Sequence, residues 1–167
     1  YSTVGQLSYI VLGVALLTPH STQGGILHIV MHAFGKITLF FCSGCIYVAT
    51  HKRSISEMDG LGKQMPLTYA AFFIGALSII GLPPMGGFIS KWNLLLGTLE
   101  ANQLPILVIL LASSLLNAAY FLPIVYRGFF SNGTNEHVNE FRDVPYYCLV
   151  PMCVTALVSF VLFFYHS

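Results

Sequence analysis

Charge is what this sequence has least of. Acidic and basic side chains together make up 8% of its residues, against roughly 25% in soluble globular domains. That scarcity excludes a sizeable water-exposed domain, and it excludes a basic face for nucleic acid. The acids are Glu57, Asp59, Glu100, Glu136, Glu140 and Asp143, and each falls in or beside an expected loop. No carboxylate is therefore expected inside an apolar segment. Cysteine is sparse as well: Cys42 and Cys45 have CxxC spacing in "CSGC", but their surroundings are apolar and no second pair lies near, which argues against redox or zinc chemistry. Cys148 and Cys153 read as packing residues. Walker loops, dinucleotide fingerprints and nucleophile elbows are missing too. Neither a catalytic site nor a cofactor nor a metal is expected in this chain.

What the sequence does contain is apolar. Hydrophobic residues make up 56% of it, and the mean hydropathy is +0.76. Runs of about 20 such residues are long enough to cross a ~30 Å hydrocarbon core as helix. The expected fold is an all-α integral membrane protein, one transmembrane domain over residues 1–167 with about five spans. The spans are read as Gln6 to Leu17, Gly25 to Thr50, a third beginning near Leu67, Leu104 to Phe130, and Val144 to Tyr165. Tyr1 is not an initiator and no basic region precedes the first apolar run, so this run is not expected to be a signal peptide. "YSTVGQLSYI" reads as the interior of a longer protein.

The third span is too long to be one straight helix. From Pro66 to Glu100 an unbroken helix would run about 52 Å, well past the hydrocarbon core. "GLPPMGG" interrupts it: Gly81, Gly86 and Gly87 loosen the backbone, while Pro83 and Pro84 remove donors and clash with the preceding turn. This is either a tight turn between two short spans or a single discontinuous helix, and the basic residues separate the two. Lys52, Arg53 and Lys63 fall before the segment, Arg127 and Arg142 flank the loop after span four, and "TPHSTQG" and "EANQ" hold no Lys or Arg. A single crossing places both basic loops on one face, the cytoplasmic one under the positive-inside rule. The expectation is one broken helix. Such breaks survive at membrane depth only where protein or a water-filled cavity covers them, and transporters build ion sites there.

Two groups of titratable residues lie in the apolar runs. "HIVMHAFGK" sets His28, His32 and Lys36 four residues apart, so they cover about 80° of one helix side and climb ~12 Å along it. A lysine facing lipid near the bilayer centre costs about 2.5 to 3.5 kcal/mol on the lenient insertion scale, so the stripe should face the bundle interior. Histidine relays protons through its two ring nitrogens, and a buried lysine can exchange a proton near neutrality. Lys91 follows the break, about 14 Å of helix from Glu100, too deep for an interfacial lysine to snorkel out. Placed there, it should meet the positive end of its own half-helix. His28, His32, Lys36 and Lys91 are therefore read as a proton relay. His28 with His32 has the spacing of a zinc pair, but no third ligand is evident. Tyr69, Ser78, Ser90, Ser113, Ser114, Asn117 and Tyr120 read first as helix–helix hydrogen bonds and second as extensions of a hydrated file.

"HIVMHAFGKITLFFCSG", "ISEMDGLGKQMPLTYAAFFIGALSIIGLPPMGGFISKWNLL" and "NAAYFLPIVYRGFF" together resemble the antiporter-like membrane subunits shared by respiratory complex I, membrane-bound hydrogenases and Mrp-type sodium/proton antiporters. "SKWNLLLGTLEA" is most similar to the D-type subunits of Mrp antiporters. The resemblance implies a fold built on two inverted five-helix repeats, each a half-channel around a broken helix, with this chain matching the last four helices of the second repeat and the closing helix. It implies that His28, His32 and Lys36 match the family's central histidines and lysine and that Lys91 matches its broken-helix lysine. The first repeat, with its glutamate and lysine, would lie before Tyr1. The function implied is proton translocation within a multisubunit complex of a bacterial or archaeal cell membrane, with sodium a second candidate ion and other membrane subunits as partners. An antiporter-like subunit of a NADH:quinone oxidoreductase or membrane-bound hydrogenase is the alternative. A helix-packing segment with no relay of its own is the other, distinguished by polar groups each satisfied singly by protein.

Overall fold

The computed structural model describes residues 2–51, 62, 65–130 and 146–165. Among these the secondary structure is entirely helical. The helices are α1 (Ser2–Ala15), α2 (Pro19–Thr50), α3 (Pro66–Ile80), α4 (Gly86–Glu100), α5 (Leu104–Phe130) and α6 (Tyr146–Tyr165). The stretches Pro19–Ala49, Leu104–Gly128 and Tyr146–Phe164 are long and apolar enough to cross a membrane. Together α3 and α4 form the interrupted span: the first ends at Ile80, and Gly86 and Gly87 already open the second.

The start of α2 lies further upstream than Gly25. Thr18 and Ser21 form a capping box, in which the Thr18 hydroxyl accepts from the Ser21 N–H and the Ser21 hydroxyl from the Thr18 N–H, both at 3.2 Å. Pro19 sits in the first turn, where its missing N–H would have had no partner in any case. These residues convert "TPHSTQG" from the expected loop into the first turns of a helix.

At the centre of the bundle, α2 packs against α1, α3, α4 and α6, and α5 closes on α3 and α4. Lipid tails are as apolar as leucine, so helices in a bilayer associate through close packing of small residues and through hydrogen bonds rather than by hiding apolar surface. The α2–α4 contact follows that rule. A Cβ added at Gly97 would lie 2.5 Å from the Ser21 Cβ, and one at Gly24 would lie 2.8 Å from the Leu94 backbone nitrogen. Larger side chains fill the rest. Leu39, Ile79, Ile80, Phe121 and Val125 join α2, α3 and α5, while Cys42, Cys45, Ala71, Met152 and Ala156 join α2, α3 and α6. Thr38 on α2 bonds Thr155 on α6 at 2.9 Å.

These contacts fix the topology of the described residues. A Cβ at Gly128, near the end of α5, would run into the Tyr69 ring near the start of α3, and Cys148 near the start of α6 packs into the cluster that holds Cys45 and Ala71. The α2 C-terminus, the α3 and α6 N-termini and the α5 C-terminus therefore share one end of the bundle. At the other end His20, in the first turn of α2, pairs with Glu100, the last residue of α4, at 3.3 Å. The interrupted segment thus crosses the bundle once. Lys52, Arg53, Lys63 and Arg142, on which the charge argument rested, lie outside the described residues; Arg127 is exposed at the shared end.

Candidate functional site

The break is where backbone groups come free. Gly81 terminates α3 in the left-handed conformation (φ 81°, ψ 46°), which glycine adopts without the Cβ penalty. The N–H groups of Gly81 and Leu82 both donate to the Leu77 carbonyl, at 2.9 and 3.2 Å. That leaves the carbonyls of the last turn, Ile79 and Ile80, without helical donors. Lys91, in the second turn of α4, supplies them. Its Nζ donates to the Ile80 carbonyl at 2.8 Å, to the Ile79 carbonyl at 3.0 Å and to Ser114 Oγ on α5 at 3.3 Å.

This geometry corrects the expected electrostatics. Placement near the start of α4 suggested that the Lys91 ammonium would face the positive end of that helix. The side chain instead runs back across the break to the C-terminus of α3, the negative end of a helix dipole, where a cation is favoured. Gly81 makes the reach possible, since a Cβ there would sit 2.7 Å from Lys91 Cδ. Lys91 is 4% exposed, and its Nζ lies over the Tyr9 ring at 5.2 Å from the centroid, a distance at which the ring face attracts a cation.

His28 occupies the adjacent space. Its Nδ1 is 2.9 Å from Ser90 Oγ and its Nε2 is 3.1 Å from Gln6 Oε1. The Ser90 hydroxyl also lies 3.0 Å from the Gly87 carbonyl and donates to it. Tyr9 links the two titratable groups: its ring meets His28 edge-on at 5.3 Å, and its hydroxyl donates to Ser113 Oγ at 2.6 Å. His28 and His32 stack at 6.1 Å with their planes 6° apart, and His32 Nδ1 is buried with no hydrogen-bond partner among the described residues. Lys36 is half-buried, its Nζ 5.4 Å from the centre of the Phe40 ring.

Lys91 and His28 are thus brought together through Tyr9 and Ser90, His32 continues the run, and Lys36 stands at its outer end rather than beside Lys91. Of the break residues, Gly81 caps α3 and gives Lys91 room, while Pro83 and Pro84 lie in the connection between the half-helices. Gly87 lets the half-helices close, because a Cβ there would overlap the Ser78 carbonyl oxygen. Gln6 and Tyr9 were missed by the sequence reading. The available signal was their i, i+3 spacing, which puts two polar-tipped side chains on one face of an otherwise apolar helix. Among the described residues no group of His, Cys, Asp and Glu could hold a metal ion.

A discontinuous span whose free carbonyls hold a buried ammonium, beside a histidine pair on the neighbouring helix, defines an integral membrane protein with a polar site at a helix break. The chain belongs to the NADH:quinone oxidoreductase/Mrp antiporter transmembrane family, whose profile matches residues 1–117. It is 42% identical over 145 residues to NADH-quinone oxidoreductase subunit N of Desulforudis audaxviator (strain MP104C), covering 87% of this chain and 29% of that relative. Its fold is similar to a chain of the Mrp complex from Dietzia sp. DQ12-45-1b, with a TM-score of 0.85 and 25% identity over 98% of this chain and 38% of that one. It is also similar to a chain of the membrane-bound sulfane sulfur reductase, an archaeal respiratory membrane complex, with a TM-score of 0.77 and 27% identity over 94% of this chain and 26% of the other. The chain therefore spans less than half the length of each of these relatives.

Proposed function

We propose that this chain is the second half-channel repeat of an antiporter-like subunit and that it conducts protons within a multisubunit membrane complex, Lys91, His28, His32 and Lys36 forming its relay. The observation that carries the reading is the Lys91 ammonium, buried at a helix break on free carbonyls within reach of a histidine pair. An ionisable group held at such depth marks an ion or proton pathway more often than a packing device. The buried and unpartnered His32 Nδ1 argues against a purely structural lock, in which every polar group would be satisfied by protein.

Within the family, the 42% identity to a subunit of a NADH-quinone oxidoreductase favours a redox-linked complex, with other membrane subunits as partners. The fold similarity to the Mrp complex supports the second reading, a D-type antiporter subunit exchanging sodium for protons. The deciding experiment is proton flux in vesicles that contain the whole complex, energised first by NADH and then by a sodium gradient. Flux with NADH alone supports the first reading and flux with sodium alone the second. Flux with neither, from an assembled complex, would refute both.

A further inference from the structure

If Lys91 carries a proton, its surroundings must accommodate it both charged and neutral, and the hydrogen bonds at the break show which group allows this. As an ammonium Lys91 has three N–H donors, and it meets three acceptors: the Ile79 and Ile80 carbonyls and Ser114 Oγ. As a neutral amine it has two donors and a lone pair. A carbonyl cannot donate to that lone pair, so neither isoleucine can adjust. Ser114 can. Its hydroxyl donates to the Ile80 carbonyl at 3.0 Å, so that carbonyl is served twice, by Lys91 and by Ser114. If the Ser114 O–H turns from Ile80 toward Nζ, Ile80 keeps the Lys91 N–H, Ile79 keeps its own, and the lone pair gains a donor. Every group stays bonded without movement of the backbone. Ser113, next in the chain, is already committed as the acceptor of the Tyr9 hydroxyl at 2.6 Å.

We propose that Ser114 is the positioning residue that lets Lys91 exist in both protonation states, its hydroxyl reversing direction as the proton leaves. In this step one Lys91 N–H bond breaks and the proton passes through water to a neutral imidazole of the His28–His32 pair. The Ser114 O–H bond rotates and does not break. The role rests on the relay reading above but can fail independently of it.

The test is proton flux per assembled complex, measured against pH in vesicles for Ser114→Ala, Ser114→Thr and Lys91→Ala, with complex levels read by immunoblot. Alanine costs the ammonium its longest contact, at 3.3 Å, but leaves it both carbonyls, whereas the amine loses the only donor that serves its lone pair, so the charged form is favoured and release becomes slower. The Ser114→Ala flux should fall about tenfold at neutral pH, as for a lost buried hydrogen bond, and its optimum should move up by about one pH unit. Threonine keeps the hydroxyl and should restore both. Ser114→Ala with unchanged rate and pH profile, alongside an inactive Lys91→Ala, would overturn the switch and leave the relay standing. Identical behaviour of the alanine and threonine variants would also overturn the switch. Normal flux in Lys91→Ala would instead overturn the relay itself.

Discussion

Lys91 Nζ donates to the carbonyl of Ile80, the last residue of the preceding half-helix, at 2.8 Å. One side chain therefore bridges both halves of the broken span and caps the C-terminus of the first. Lys91 consequently has a structural role in addition to the proposed proton-carrying one, and the two roles come apart under substitution.

Lys91→Ala strands the Ile79 carbonyl and leaves Ile80 with the Ser114 hydroxyl alone, which should cost about 1–3 kcal/mol of stability, along with all proton transfer. Lys91→Arg keeps a cation with ample donors, so the assembled complex should be recovered at near-normal levels. A guanidinium holds its proton at any working pH, and transport should still be lost. The pair of immunoblot and vesicle flux measurements separates the two effects. Normal transport by Lys91→Arg would make Lys91 a fixed charge rather than a carrier.

Glycine substitutions should fall into two groups, those at the break and those elsewhere in open space. Gly81→Ala forces a side chain into φ 81° and against Lys91 Cδ, a strain of about 1–3 kcal/mol that also displaces the ammonium. Gly87→Ala drives a Cβ into the Ser78 carbonyl and should lower the yield of folded protein further. Gly5→Ala and Gly44→Ala meet nothing within 4 Å and serve as controls. Melting of the detergent-solubilised complex, followed by size exclusion, should place the two controls highest, Gly81→Ala lower and Gly87→Ala lowest, and a Gly87→Ala that melts like Gly5→Ala would contradict the packing described.

Topology can be read from exposed residues at helix ends. His51 and Arg127 flank the end of the bundle shared by α2 and α5, and Gln103 lies at the other. His51→Cys and Arg127→Cys should react with an impermeant maleimide from the same face and Gln103→Cys from the opposite one. The native Cys42 and Cys45, both 0% exposed, should stay silent. Labelling of His51→Cys and Arg127→Cys from opposite faces would exclude a single crossing by the broken span.

Much of this was legible from composition and spacing, because a bilayer restricts the chain to helices and makes each buried charge conspicuous. The broken span and the stripe on α2 followed from length, proline and glycine placement, and a four-residue repeat. The start of α2 was misplaced because "TPHS" looks like a turn until Thr18 and Ser21 are seen to cap each other. The direction of Lys91 was misjudged for a different reason. A sequence shows which helix carries a side chain but not which helix end its four-carbon stem reaches, and here Gly81 opens the way backward. Gln6 went unnoticed because its importance lies in meeting His28, 22 positions away in the sequence.

That Gln6 contact supports a last prediction. The Ser90 hydroxyl has one hydrogen and gives it to the Gly87 carbonyl, so it offers His28 Nδ1 an oxygen, and Nδ1 carries a proton. The second titrating position is then Nε2, which faces the Gln6 amide at 3.1 Å. As an imidazolium His28 donates from Nε2 to Gln6 Oε1. As a neutral ring it needs a donor, which the amide supplies after a half-turn, using the Nε2 group that is otherwise buried and unpartnered. Gln6→Leu removes both options and leaves His28 Nε2 facing an apolar side chain, so proton flux should drop about tenfold with little loss of assembled complex. Gln6→Glu supplies an acceptor that favours the imidazolium and cannot serve the neutral ring while ionised, so it should also slow transfer but shift the working range to higher pH. Measured as flux against pH per assembled complex, the two variants should differ in profile as well as in rate. If both match the parent protein across the pH range, Gln6 is a packing residue and His28 exchanges its proton without it.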